Sequence, residues 1–429
     1  MSSRPTIPEP LSMAAVLRIP TMRRLWYAAL VSTFGDFLAL FAVIGVLTFQ
    51  LHATPQQVTG VQISYMLPIA VLGILAGVFV DRWPLKLTLV TSDFIRAALC
   101  LLLLLSHNVF SFYLVLAAIS VVSSFFGPAQ GVTLRTAVPL HGLRSANALM
   151  QQVMFGMRIV GPAIAAFLVA SFGAKSCYLI DSASFVASGC LIASLAISRP
   201  EAAAQAAAVL GEDPPPLASP PASGLAKILA DMRVGGSFIV HHAGILFVML
   251  AMASGMFVIG CFGPLIAVYV RDSLHASTRI FGIASAMIGI GMFAGINALT
   301  SLAKKIKNAT LVYSGLAGIA LGLCLLTLLT HIWSTIAANL IIGFAVAGII
   351  VPATTMMQQE TPPELMGRVG STFMSMIFSA QISGLILSGL IANRIGVRQV
   401  FALCAVLLAA LIVAGHLWME PEHAPTQPA

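Results

Sequence analysis

The sequence predicts an all-α membrane protein of twelve transmembrane helices in two pseudo-symmetric bundles of six. Three observations lead there. Only 8% of the 429 residues are charged and 59% are hydrophobic, whereas soluble domains carry about 25% charge. Apolar runs of about twenty residues recur along the chain, each long enough for a helix to cross roughly 30 Å of hydrocarbon. The two halves also resemble each other: Pro128-Ala129, Pro139 and Arg144 return as Pro352-Ala353, Pro363 and Arg368, each 224 residues on (352 − 128 = 224).

Taken in order, the spans are expected at about 26–49, 58–80, 87–105, 110–132, 146–169 and 177–196. After a break they resume at about 245–270, 283–302, 311–329, 333–351, 369–392 and 400–417. Arg23-Arg24 precede a run too long for a signal peptide, so the first span is expected to remain as an anchor. The break holds EAAAQAAAVLGEDPPPLASPPASG at 201–224, an Ala/Pro/Ser composition that reads as a flexible linker. Residues 225–244 follow as an expected interfacial helix, whose His241-His242 read as interfacial polar residues rather than a metal pair. The expected organisation is a tail over 1–24, a bundle over 25–200, a linker over 201–237, a bundle over 238–418 and a tail over 419–429.

Twelve spans put both termini on one side. Fifteen Lys and Arg residues fall in the loops of that side, from Arg4 to Arg368, against Lys175, Arg271, Arg279, Arg394 and Arg398 on the other. The positive-inside rule therefore predicts cytoplasmic termini in a bacterial-type inner membrane. The formal net charge of +8 is then a topology signal, and nucleic acid is not an expected partner. The six cysteines all lie in apolar runs without metal-like spacing, and no metal, cofactor or disulfide framework is expected. No GxxxxGK[ST], HExxH or GxSxG signature occurs, which argues against nucleotide drive and against a membrane-embedded enzyme.

The second span carries Gly73 and Gly77, four apart and so on one helix face, where small residues let another helix come close. That face ends in Asp81-Arg82 and a tight turn through Trp83-Pro84. The stretch GVFVDRWPLK, Gly77 to Lys86, resembles the loop 2–3 signature of the major facilitator superfamily, with Pro84 and Leu85 standing where the family carries glycine and arginine. Phe34-Gly35-Asp36, Phe126-Gly127-Pro128-Ala129, Ser145-Ala146-Asn147-Ala148-Leu149 and Asp181-Ser182-Ala183-Ser184-Phe185 are similar to stretches of its drug-exporter branch, related to macrolide and siderophore exporters. Arg158-Ile159-Val160-Gly161-Pro162-Ala163 is similar to the antiporter motif, with Ala165-Ala166 where glycines are common. The resemblance implies the major facilitator fold and a monomeric secondary transporter. Such a protein exports hydrophobic or amphipathic small molecules by alternating access, as a proton antiporter. The FGD start also suits a lysophospholipid-handling branch, which stands as the alternative.

Ionisable residues inside spans are costly unless paired or hydrated, so each is a functional candidate. They are Asp36, Asp93, Arg96, Arg158 and Asp181, with His416 near the last cytoplasmic end, and no acid lies inside a span of the second half. Asp36, halfway along span 1, is the leading proton-coupling residue, and Arg158 is either its counter-ion or a fixed structural cation. Asp181, a turn into span 6, is expected as a hydrated or hydrogen-bonded acid at the outer mouth. Asp93 and Arg96, at i and i+3, are expected to pair and to extend the gating cluster of Asp81, Arg82 and Lys86. Gly161-Pro162 and Gly263-Pro264 are expected kinks, since proline removes a backbone hydrogen bond. Met249, Met252, Met256, Met287, Met292, Phe373 and Met374 make the second half a soft apolar surface suited to varied ligands.

Overall fold

The computed structural model describes residues 11–80, 83–195, 236–237, 239, 242–302, 306–362 and 365–418. Among them a short helix α1 (Met13–Leu17) precedes six long ones: α2 (Pro20–Gly45), α3 (Pro55–Val80), α4 (Leu85–Leu102), α5 (Val109–Ala137), α6 (Leu143–Phe172) and α7 (Ala174–Ala193). Six more follow: α8 (Ala243–Asp272), α9 (Thr278–Leu302), α10 (Asn308–Leu328), α11 (Ile332–Glu360), α12 (Met366–Ile395) and α13 (Val397–Trp418). Ten of these long helices are apolar enough over their described residues to cross a membrane. The other two, α3 and α6, are 26 and 30 residues long and occupy the places of the second and fifth expected spans.

Local chemistry sets the helix ends. Pro20 begins α2 where its missing N–H costs nothing. Asn108 and Ser111 form a reciprocal capping box at the start of α5. Thr54 and Gln57 do the same for α3, with the Gln57 N–H donating to Thr54 Oγ1 at 3.3 Å and the Thr54 N–H to Gln57 Oε1 at 2.9 Å. Gly173 (φ +79°) ends α6 and Gly396 (φ +92°) ends α12, a backbone conformation that only glycine adopts without strain.

The internal repeat is sharper in the helices than in the prolines. Helix starts at 20, 55, 85, 109, 143 and 174 recur at 243, 278, 308, 332, 366 and 397, every pair 223 apart (243 − 20 = 223). Among the described residues, the two non-glycine ones with positive φ, His52 and His275, obey the same offset, as do Gly173 and Gly396. They also expose a sequence match, Leu51-His52-Ala53-Thr54 against Leu274-His275-Ala276-Ser277. The 224-residue spacing of Pro128 and Pro352 is thus one residue out of helical register, at the twentieth position of α5 and the twenty-first of α11.

Contacts divide the chain into two units, Met1–Leu51 with Ser64–Ser219 and His52–Ile63 with Pro220–Ala429. The later division falls inside the segment expected as a linker. In unit 1, α2 packs on α6 and α7, and α4 on α5 and α7. The N-terminal segment is more ordered than a tail: Val16, Met22 and Leu25 pack on Leu134, Val138 and Leu149, and Ser145 Oγ donates to the Leu11 carbonyl at 2.6 Å. In unit 2, α9 and α10 both pack on α11, and α8 on α12. Gly291 and Gly295 of α9 lie so close to the α11 backbone that a Cβ on Gly295 would stand 2.7 Å from the Phe344 carbonyl oxygen, the small-residue approach that membrane helices use. Gly73 behaves otherwise. Nothing described lies within 4 Å of where its Cβ would sit.

Both terminal glycines hold a φ/ψ combination near (+80°, +160°), which costs a side-chain-bearing residue about 1–3 kcal/mol. Gly173→Ala and Gly396→Ala are each expected to lower the apparent melting temperature of the purified protein. Gly127→Ala, in open space inside a helix, is expected to leave it equal or slightly higher.

Candidate transport site

The described intramembrane charges of unit 1 gather where α2, α4, α5 and α7 meet. Arg96 and Asp93 of α4 form a direct ion pair, with Arg96 3% and Asp93 0% exposed. The expected i,i+3 pairing is therefore present. The Arg96 guanidinium also lies 4.3 Å from the ring centres of both Phe126 (α5) and Phe185 (α7), and its Nε donates to the Ser92 carbonyl at 3.4 Å. A planar cation between two ring faces, with one carboxylate on its edge, is a desolvated arrangement in which cation–π attraction is strong.

Asp181 of α7 is buried as well, at 1% exposure. Its Oδ2 accepts from Cys100 Sγ of α4 at 2.9 Å, and Ser184 Oγ, which donates to the Asp181 main-chain carbonyl at 2.7 Å, stands 3.5 Å from Oδ1. Of the two states expected of Asp181, hydrated or hydrogen-bonded, the described surroundings give the hydrogen-bonded one. Two turns into α7 it is enclosed, because Gly35 of α2 lets that helix close over it: a Cβ on Gly35 would come within 2.9 Å of the Asp181 Cα. Ser182 fixes the same face by donating to the Ala97 carbonyl at 2.9 Å.

Asp36 follows Gly35 on α2 and differs from the other two acids. Part of its surface stays exposed, and Tyr65 of α3 donates to its Oδ1 at 3.3 Å. The described cation that acts electrostatically on Asp36 and on Asp181 is Arg96. The Arg158 side chain lies outside the described residues, as do Asp81 and Arg82. The pairing of Asp36 with Arg158 and the gating role of Asp81 and Arg82 therefore lie outside the described residues. Lys86 is half-buried in the first turn of α4, and Gly77 lies in α3 near its end. Gly161 packs on Phe37 of α2, where a Cβ would meet the Phe37 Cβ at 2.9 Å. Pro162 and Pro264 lie inside α6 and α8, with Gly263 beside the latter. Tyr65, Cys100, Phe126 and Phe185 complete the cluster without having been singled out as site residues, although Phe126 and Phe185 lie within two of the exporter-like stretches.

The Major Facilitator Superfamily sequence model matches residues 25–384 and 248–429. The chain belongs to this superfamily. Among its relatives, an uncharacterised MFS-type transporter of Bacillus subtilis, YfiS, is 26% identical over 390 residues, 88% of each chain. Macrolide efflux protein A of Streptococcus pyogenes is 26% identical over 366 residues, 81% of this chain and 83% of the relative. Among solved structures, the nucleoside transporter NupG aligns over 94% of this chain and 100% of its own, with a TM-score of 0.67 at 15% identity. A POT family transporter in complex with 5-aminolevulinic acid aligns over 93% and 96%, with a TM-score of 0.67 at 9% identity. The superfamily chain is a multi-pass transporter rather than an enzyme.

Removing one partner of a buried ion pair strands the other charge, at about 3–5 kcal/mol. Arg96→Ala is therefore expected to collapse the yield of monodisperse protein and lower its melting temperature. The double change Asp93→Asn with Arg96→Met is expected to recover most of that loss. Size-exclusion profiles and melting curves of the two purified variants check this.

Proposed function

We propose that the protein is an inner-membrane exporter of hydrophobic or amphipathic small molecules, with cytoplasmic termini, driven by proton antiport through Asp36. The observation that carries the reading is the contrast among the three acids. Asp93 has its own guanidinium, and Asp181 is enclosed by thiol and hydroxyl donors. Asp36 sits beside them with part of its surface open and one phenol as its hydrogen-bond donor. One described cation thus serves three carboxyl groups, and a proton is the ion that can balance the remainder in a low-dielectric site. Asp36 is the acid a proton can reach from an open side. Uptake there alters the balance around Arg96, which holds α4, α5 and α7 together, so protonation is coupled to helix packing.

The similarity to a macrolide efflux protein supports export of bulky, partly apolar compounds. The soft surface of unit 2 supports it too, with Phe293, Met374 and Phe378 exposed and Met252 and Met292 packed within.

The test uses purified protein in liposomes, a fluorescent cationic dye and an imposed pH gradient. Gradient-dependent dye movement is expected, with Asp36→Asn reducing it at least about tenfold and removing its dependence on the gradient. Asp36→Asn transport with the native pH dependence would overturn the coupling role. Transfer of labelled lysophospholipid without a gradient, and no dye movement, would replace the exporter reading with the lipid-handling one.

A further inference from the structure

Helix α3 carries a bend point one turn beyond Tyr65. Pro68 lies inside the helix, so the Ser64 carbonyl loses its helical donor and is crowded by the ring. The packing of the chain changes at the same place. Contacts assign the residues of α3 up to Ile63 to unit 2 and those from Ser64 to unit 1. Within unit 2 the early part is held by backbone contacts. Arg271 Nη1 donates to the Ala53 carbonyl at 2.9 Å, and a Cβ on Gly389 of α12 would stand 3.2 Å from the Gln56 Cα. Within unit 1 the later part is held at Tyr65. The Tyr65 carbonyl accepts from Ser120 Oγ of α5, and the phenol donates to Asp36 Oδ1 of α2 at 3.3 Å.

The internal repeat shows the same helix contact without an acid. Adding 223 to Tyr65, Pro68 and Ser120 gives Ile288, Gly291 and Gly343. In unit 2 Gly343 lies against the Ile288 carbonyl and Gly291 against the Leu340 carbonyl, each where a Cβ would collide. Helix α9 contains no proline, and Ile259 stands at the position of Asp36. That contact is closed backbone to backbone. In unit 1 a hydroxyl and a proline replace the two glycines, and a phenol–carboxylate bond is added. The acid, its donor and the bend point thus occur together in one half.

We propose that Tyr65 is the positioning residue of proton coupling: it fastens α3 to the ionised Asp36 and frees the helix to bend at Ser64–Pro68 once Asp36 is protonated. A hydrogen bond to an ionised carboxylate is roughly twice as strong as one between neutral groups, so the fastening weakens when the proton arrives. The other described charged groups acting with Asp36 are Arg96 and Asp93 on α4 and Asp181 on α7. Tyr65 is the one titratable side chain of α3. The assignment rests on proton uptake at Asp36 and adds the helix that responds to it.

Hydrogen–deuterium exchange of the purified full-length protein tests the bend, and dye transport in liposomes tests the coupling. Exchange over residues 60–72, corrected for the intrinsic effect of pH, is expected to be at least about fivefold faster at acidic than at alkaline pH. Tyr65→Phe and Asp36→Asn should hold the fast value at both, and Pro68→Ala should shrink the difference. In transport, Tyr65→Phe should move the pH midpoint up by about one on the pH scale, because a donor to the ionised acid is lost. Tyr113→Phe on α5 should keep the native midpoint. Exchange over 60–72 that does not respond to pH in the native chain overturns the proposal. A native transport midpoint in Tyr65→Phe also overturns it, even where transport is slower, and leaves Asp36 standing if Asp36→Asn has lost its pH dependence. Native pH dependence in Asp36→Asn instead removes proton coupling at Asp36, and the role of Tyr65 with it.

Discussion

A guanidinium in the middle of a membrane protein must bring its own solvent, and Arg96 brings one from three helices. Asp93 supplies the opposite charge, Ser92 a carbonyl, and Phe126 and Phe185 two ring faces. Losing any of them leaves a charge where replacing its hydration is expensive. This requirement fixes how α4, α5 and α7 approach one another. Gly35 then lets α2 close against α7, which sets Asp36 beside the cluster rather than within it. Exposure of the one acid therefore follows from burial of the others.

The two units share one plan to the residue, as the constant 223-residue offset of helix starts shows, yet they divide the chemistry unequally. The repeat-mates of Asp36, Asp93, Arg96, Cys100 and Asp181 are Ile259, Leu316, Ile319, Leu323 and Cys404. All but Ile259 are buried, as the charged members of the first set largely are. Unit 2 packs closely through glycine against backbone, and unit 1 adds to such contacts a charge against ring. The same scaffold accepts both because the positions are equivalent in depth and facing.

Span positions and class were legible because hydropathy reports a solvent, and each apolar run must be a helix wherever its backbone has no water to bond. The Asp93–Arg96 pair was legible because its spacing lies within one helix. The enclosure of Asp181 was not legible because distance from a span's end measures depth but not enclosure, and the enclosure comes from Gly35, some 146 residues away in the chain (181 − 35 = 146). Cys100 carried no signal in the sequence because nothing in its own neighbourhood shows the carboxylate that another helix brings to it. The exporter-like stretches held more than they showed: Gly35, Phe126 and Phe185 lie in three of them and converge on two residues, Arg96 and Asp181. The exact repeat is written mainly in φ angles and loop lengths, with Leu-His-Ala-Thr and Leu-His-Ala-Ser as a short trace in letters.

The uneven sharing of charge has an electrical consequence. A membrane potential does work only on charge that moves within its field, about 2.3 kcal/mol per elementary charge for each 100 mV crossed in full. Among the described side chains, the charges embedded at depth belong to unit 1, and the matching positions of unit 2 carry none. The work a membrane potential can do on embedded charge therefore falls on one half of the repeat.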